Sequence, residues 1–245
     1  MENIWSFFAF PLNLLLPVFW IVCWSWLWKN RPQSAVVRFV LSPAATISAL
    51  VLLLVSCLWI GFSGDRGFVE SIIFVIVLLY VQTVLLLVTL RGWRRPGGEI
   101  RWRFLLLHVG LLLAVGAGFW GAPNSTELRL ALGRGEEAEA AYKFDGGVSG
   151  LGYKVKMMDY TVAYSESGAP SLYEAKISID GDEPVVLSVN DPYSVALGED
   201  IYLVSVNDQF CVLQIVREPW RYFALAGILM LLAGAFMLFI KGPRR

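Results

Sequence analysis

Long apolar blocks alternate with short basic loops over the first half of the chain. Five stretches approach the roughly 20 residues that a helix needs to cross a bilayer: about residues 4–28, 39–62, 69–90, 104–120 and 222–240. Lipid offers the backbone no hydrogen-bond partners, so each stretch is expected to be helical. Between the fourth and fifth the pattern changes from blocks to alternation. Tyr173, Ala175, Ile177 and Ile179 alternate with Glu174, Lys176 and Ser178, the period of a half-buried strand. Asp180-Gly181-Asp182 supplies a turn, and Val185 to Val189 a second strand. Ile201 to Val206 and Phe210 to Val216 form another hairpin around Asn207-Asp208. Lys154 to Tyr164 is a further strand, approached through the turn-forming glycines Gly146-Gly147 and Gly150 to Gly152. Glu136 to Tyr142 is expected to form a short helix. The expected fold is a membrane α-helical bundle of five transmembrane helices. An exported all-β domain, an antiparallel sandwich or open barrel, is inserted before the last helix. The domains expected are 1–120 (four spans), 121–219 (the β-domain) and 220–245 (the fifth span and a tail).

Charge sets the direction of these spans. Net charge is zero, yet residues 121–219 carry 16 acids and 7 bases, whereas the remainder carries 13 bases and 4 acids. Eleven of those 13 bases fall in three regions: Lys29 to Arg38, Arg91 to Arg103, and Lys241 to Arg245. The turn at Ser63 to Phe68 holds one acid and one base. Basic loops stay on the cytoplasmic side. The expectation is an N-terminus outside, a C-terminus in the cytoplasm, and residues 121–219 on the periplasmic side of a bacterial inner membrane. The first apolar run has no basic leader and exceeds a signal-peptide core, so it is expected to be an anchor. Trp24, Trp26 and Trp28 at its inner end fit an interfacial aromatic belt. The acidic exported face fits a solvated surface, or one that steers a basic partner.

Chemistry is sparse. Hydrophobic residues make up 57% and charged residues 16%, far from the balance of a soluble enzyme. Walker A, Rossmann, HExxH and GxSxG motifs are absent. The exported segment has no basic patch with interleaved aromatics, so nucleic acid is not an expected partner. Cys23, Cys57 and Cys211 form no CxxC, which excludes a disulfide scaffold, a zinc knuckle and a thioredoxin-type motif. Cys57 and Cys211 share the outer side in this orientation, which leaves a bridge between them open. Asn124-Ser125-Thr126 is a chance sequon. His108, the single histidine, lies inside the fourth span, about 7 Å beyond Arg103. Ionisable residues within a span are costly and point to function. Arg101 and Phe104 share its helical face, while Gly110, Ala114, Ala117 and Gly118 cluster roughly opposite, as helix-packing residues do. A neutral imidazole can ligate haem iron, and arginine pairs with carboxylates such as propionates. The alternative is a histidine that hydrogen-bonds within the bundle.

The order of elements resembles the ResB family (also called CcsB) of cytochrome c biogenesis proteins, which have three spans, an exported domain and a last span. Spans two to five fit that plan. Ser42-Pro43-Ala44 leads into an apolar run ending in Gly61. Leu105-Leu106-Leu107-His108-Val109-Gly110, then Gly116-Ala117-Gly118, is similar to the family's third span, which carries a histidine. Val189-Asn190-Asp191-Pro192 followed by Gly198-Glu199-Asp200-Ile201-Tyr202, and Arg217-Glu218-Pro219-Trp220 before the last span, resemble its exported-domain motifs. The similarity covers roughly residues 38–240.

The resemblance implies a haem-handling role in delivering haem b across the membrane with a CcsA/ResC-like membrane protein, for attachment to apocytochrome c. It implies a subunit of a cytochrome c synthase complex and not an enzyme alone. His108 would be the axial ligand to the haem iron, with Arg101 a propionate contact and Phe104 beside them. The second axial ligand would come from the partner. The alternative class is a non-catalytic scaffold or sensor whose β-domain binds a protein without haem. Two features depart from the family. Many members have a longer exported domain, and the first span has no counterpart. Its tryptophans lack the Gly and Asp of the partner's tryptophan-rich motif.

Overall fold

The computed structural model describes residues 8–64, 68–69, 71–144, 146–164, 170–207 and 209–241. It divides into two compact units, one formed by residues 1–123 with 220–245 and the other by 124–219. The first unit holds helices α1 (Leu12–Asn30), α2 (Ala35–Val40), α3 (Pro43–Ser63), α4 (Ile72–Gly92), α5 (Trp102–Gly121) and α6 (Arg221–Lys241). All but α2 are long and apolar enough to cross a membrane. The five expected spans are therefore present, with shifted edges. The run expected from residue 39 is broken at Leu41. Ser42 caps α3 by accepting from the Ala45 amide, and Pro43 occupies the first turn, where it lacks only a hydrogen bond no helix would make there. Residues 4–7 of the first stretch, and Asp65, Arg66, Arg244 and Arg245 of the charge argument, lie outside the described residues.

Three kinds of contact knit the helices. Val40, Ala45 and Ala49 pack with Val77, Val81, Val84 and Leu87, and Trp24 and Trp28 of α1 lie against that cluster. These two tryptophans are thus packing residues, and Trp26 alone of the three is largely exposed. Polar ties then lock pairs: the Tyr80 hydroxyl meets the Ser48 hydroxyl at 2.9 Å and donates to the Ala45 carbonyl. Asn13 donates to the Trp120 carbonyl at 3.0 Å, and the Trp120 indole N–H donates to the Gln82 side-chain oxygen at 3.0 Å. Asn13 and Gln82 are both buried, so α1 is joined to α5 directly and through Trp120 to α4, which bears Gln82. The third contact is backbone to backbone. A Cβ on Gly227 of α6 would stand 2.7 Å from both the Ala114 nitrogen and the Gly110 oxygen of α5. Small residues permit such an approach between apolar helices. Gly110, Ala114 and the buried Ala117 behave as the sequence pattern suggests. Gly118 does not: it is exposed, with nothing within 4 Å of a Cβ placed there, because it sits at the margin of the face turned to α6.

The second unit is one eight-stranded antiparallel sheet in the order β5-β4-β3-β2-β1-β8-β7-β6. Its strands are β1 (Thr126–Leu132), β2 (Glu137–Lys143), β3 (Val148–Tyr164), β4 (Pro170–Ile179), β5 (Val185–Ser188), β6 (Tyr193–Ala196), β7 (Glu199–Val206) and β8 (Cys211–Arg217). One face is dry: Leu128, Leu130, Val155, Met157, Ile177, Leu187, Ile201, Leu213 and Ile215 form a single core. Register shifts in β2/β3, β3/β4, β6/β7 and β7/β8 bend the sheet, as bulges do. β4 and β5 come against β7 as a result, which is the curl of an open barrel. The expected helix at Glu136 to Tyr142 is instead β2. Seven residues are too few to hold a helix unaided, whereas as a strand they bury Ala141 and bond to both β1 and β3. Gly150 to Gly152 lie within β3 and not before it, with Gly152 at φ +84. Asp180 and Gly181, both with positive φ, make the expected β4–β5 turn. Asn207 organises the β7–β8 turn by accepting from the Gln209 and Phe210 amides, while Asp208 lies outside the described residues.

Candidate functional site

The α4–α5 connection is a folded loop. The Arg95 amide donates to the Glu99 carbonyl, the Gly98 amide to the Arg95 carbonyl, and the Arg101 amide to the Trp93 carbonyl. Gly98 takes φ +83, which a side chain would resist. This miniature hairpin delivers Arg101 to the start of α5, where it is the N-cap residue without a side-chain cap of its own.

From there three side chains stack along the helix. The Arg101 guanidinium stands 4.7 Å over the Phe104 ring and donates to the Gly92 carbonyl of α4 at 3.1 Å. The Phe104 ring lies on the His108 imidazole, with centroids 3.8 Å apart and planes 24° apart. Spacings of three and four residues make these neighbours on one face. Gly92 makes room for the stack, since a Cβ there would come 2.5 Å from the Phe104 ring. The face bearing Arg101 and Phe104 is therefore closed against the end of α4 at that level.

The half-buried His108 pairs its Nδ1 with the Phe104 carbonyl at 2.9 Å. A carbonyl oxygen only accepts, so in the neutral ring Nδ1 carries the hydrogen and Nε2 keeps its lone pair. Metal-ligating histidines are commonly set up this way, with the remote nitrogen fixed by a backbone carbonyl. His108, Phe104 and Arg101 are brought together, and the donor set fits haem: one uncommitted imidazole nitrogen, an aromatic ring stacked on it, and a guanidinium over that ring. The chain offers no second histidine. No group of three or more potential metal ligands occurs among the described residues.

The motifs of the β-domain meet each other as well. Glu199 and Arg217 are paired residues of β7 and β8, and the Arg217 Nε stands 2.9 Å from Glu199 Oε1. The Tyr153 hydroxyl donates to the same carboxylate oxygen at 2.6 Å. Burial, followed by the bond to Glu199, raises the Tyr153 phenol well above its usual value. Arg217 also donates to the Gly150 and Leu151 carbonyls of β3. Gly198, at φ +82, is packed so closely that a Cβ would stand 2.8 Å from the Glu218 oxygen and the Pro219 Cα. No acid–base pair opens here into a cleft; the network is a structural clasp. Sequence reasoning singled out these motifs without their pairing, and Tyr153 was missed because its partner is 46 residues away. Cys23, Cys57 and Cys211 are all free thiols, so no Cys57–Cys211 bridge is formed.

Among known proteins, the model of the ResB-like family matches residues 97–209. That stretch runs from the α4–α5 loop, through Arg101, Phe104 and His108, to just before β8. The resemblance read from the sequence is borne out there. A solved structure titled cytochrome c heme lyase CcmF is similar over 93% of this chain, at 17% identity and a TM-score of 0.40. The chain spans 45% of the length of that protein. No curated protein matches the chain.

Proposed function

We propose that this chain is a haem-handling membrane subunit of cytochrome c biogenesis. In this reading it works with a CcsA/ResC-like membrane protein to move haem b across a bacterial inner membrane and present it to apocytochrome c. The observation that carries the reading is the geometry of His108, whose Nδ1 is committed to the Phe104 carbonyl so that Nε2 can coordinate. The family match over α5 and most of the β-domain supports it. Arg101 would hold a propionate while keeping its contact with the Phe104 ring, and the apolar neighbours would keep water from the iron. The haem supplies the vinyl groups that become thioethers. The chain's own part is to bind, orient and hand over. Any second histidine ligand would have to come from the partner, since this chain holds one histidine.

The second reading is a scaffold or sensor without haem. The ring stack favours it, because Phe104 and its carbonyl already satisfy His108 within α5. One experiment separates the two. The full chain is co-purified with a CcsA-like partner, as wild type and as His108→Ala, and its haem is quantified by pyridine haemochrome. Haem in the wild type that falls at least tenfold in the variant, with the complex intact, supports the ligand. A colourless wild-type complex selects the scaffold, and equal haem in both removes His108 from the site.

The proposed orientation keeps residues 121–219 periplasmic and both basic loops and the C-terminus cytoplasmic. Alkaline phosphatase fused within the turn after Gly146 should be active, and a fluorescent protein fused after Arg245 should fluoresce. The reverse pattern inverts the topology.

A further inference from the structure

A cavity of about 610 Å³ opens at the α4–α5 loop, with Arg94, Arg95, Arg101 and Arg103 around it and Trp102 and Met237 on its walls. Its one carboxylate, Glu99, pairs with Arg95 at 3.1 Å. Arg101 is engaged by the Gly92 carbonyl and the Phe104 ring. Arg94 lies 4.0 Å over the Trp93 ring, a contact that leaves its charge unneutralised. Arg103 has no carboxylate or carbonyl partner among the described residues. The lining thus carries three positive charges beyond its one ion pair. Guanidinium does not deprotonate in proteins, so the lining stays cationic at any ordinary pH and favours an anion. The loop hydrogen bonds fix the backbone that carries Arg94, Arg95 and Arg101.

The surroundings say what kind of anion. The loop joins two spans and so sits at a bilayer surface, whichever way the chain is oriented. Trp102 is 58% exposed, and at the same end of the bundle Phe236, Phe239 and Ile240 of α6 are exposed too. A ligand here meets guanidinium on one side and hydrocarbon on the other. Basic pockets between spans hold the headgroups of acidic lipids, and arginine suits phosphate through its paired donors.

We infer that this cavity binds the phosphate of an anionic phospholipid between Arg94 and Arg103, with the acyl chains alongside the exposed end of α6. The cavity shares Arg101 and Phe104 with the haem reading, but the proposed phosphate anchors, Arg94 and Arg103, have no part in that reading, so either can fail alone. The same chemistry could be met by free phosphate, or by the carboxylates of a porphyrin, and the test separates these sources.

The full-length chain in neutral detergent is titrated with phosphatidylglycerol, phosphatidylcholine, inorganic phosphate or metal-free protoporphyrin. Melting temperature is followed, and bound lipid is counted by native mass spectrometry. Near saturation, phosphatidylglycerol is expected to raise the melting temperature by roughly 5 °C, and phosphatidylcholine and phosphate by much less. Arg94→Gln/Arg103→Gln loses that shift and the bound lipid. Arg31→Gln/Arg38→Gln, in the segment between α1 and α3, keeps both. Arg94→Lys/Arg103→Lys retains charge and a reduced shift, and it serves if the glutamine variant does not fold. Equal shifts from phosphatidylcholine, an undiminished shift in the glutamine variant, equal loss in the control variant, or full stabilisation by phosphate or porphyrin in place of lipid would each overturn the inference.

Discussion

Arg217 of β8 closes on Glu199 of β7 at 2.9 Å while its other nitrogens reach the backbone of β3. One guanidinium therefore ties β7, β8 and β3 of the β-domain together, and neither side chain of the ion pair is more than a quarter exposed. Arg217→Ala leaves the Glu199 carboxylate largely buried with only Tyr153 beside it. The expected cost is ~2 kcal/mol in the urea midpoint of the β-domain. Arg217→Lys should recover only part of it, because an ammonium cannot span all three acceptors.

The raised Tyr153 phenol gives that domain an alkaline limit. The folded state holds a proton that the unfolded chain releases near pH 10. Below about pH 10 both states are protonated, and the contribution to stability is fully present. Above it the unfolded state binds fewer protons, so stability falls as pH rises. The urea midpoint should drop between pH 9 and pH 11. Tyr153→Phe should flatten that slope, at a cost of ~1 kcal/mol at neutral pH for the lost hydrogen bond.

Cys211 is fully buried in β8, and desolvation pushes its thiol up to about 12. Thiolate is the reactive form. In a Cys23→Ala/Cys57→Ala chain, maleimide at pH 8 should leave Cys211 unlabelled for hours and label it within minutes in denaturant. Rapid labelling of the folded protein would contradict this burial.

The α5–α6 contact predicts opposite outcomes for two similar substitutions. Gly227→Ala drives a Cβ into the Ala114 nitrogen and the Gly110 oxygen, which are backbone atoms and cannot rotate aside. Such overpacking should cost roughly 1–3 kcal/mol and lower the melting temperature in detergent. Gly118→Ala meets nothing. It should be neutral or slightly stabilising, since alanine is the better helix former.

Local patterns in the sequence account for much of this. Five apolar blocks announce five helices, and Ser42-Pro43 carries the signal that splits the second block. Leu128, Leu130 and Leu132 alternate cleanly with Glu127, Arg129 and Ala131, so β1 was legible too, though it follows so closely on α5 that the apolar run obscured it. Glu136 to Tyr142 misleads because Ala and Glu favour helix, and only the flanking strands decide otherwise. At the site, helical spacing was enough to place Arg101 and Phe104 with His108. It could not show that Gly92 of α4 fills the space beside them. Nor could it show the Asn13–Trp120–Gln82 chain, whose members lie 107 and 38 positions apart. Such ties depend on which helices become neighbours, and single-chain periodicity is silent on that.

β1 and β8, the first and last strands of the β-domain, are paired along their whole length. α5 and α6, which precede and follow that unit, are in backbone contact. Bringing the two ends of residues 124–219 together carries a loop-closure entropy on the order of 4 kcal/mol. Whichever pairing forms first has met that cost for the other. The hydrogen-bonded ladder and the glycine contact are therefore thermodynamically linked through the chain itself. A lesion such as Gly227→Ala should weaken the β-domain as well as the bundle, with no change to any of that domain's own contacts.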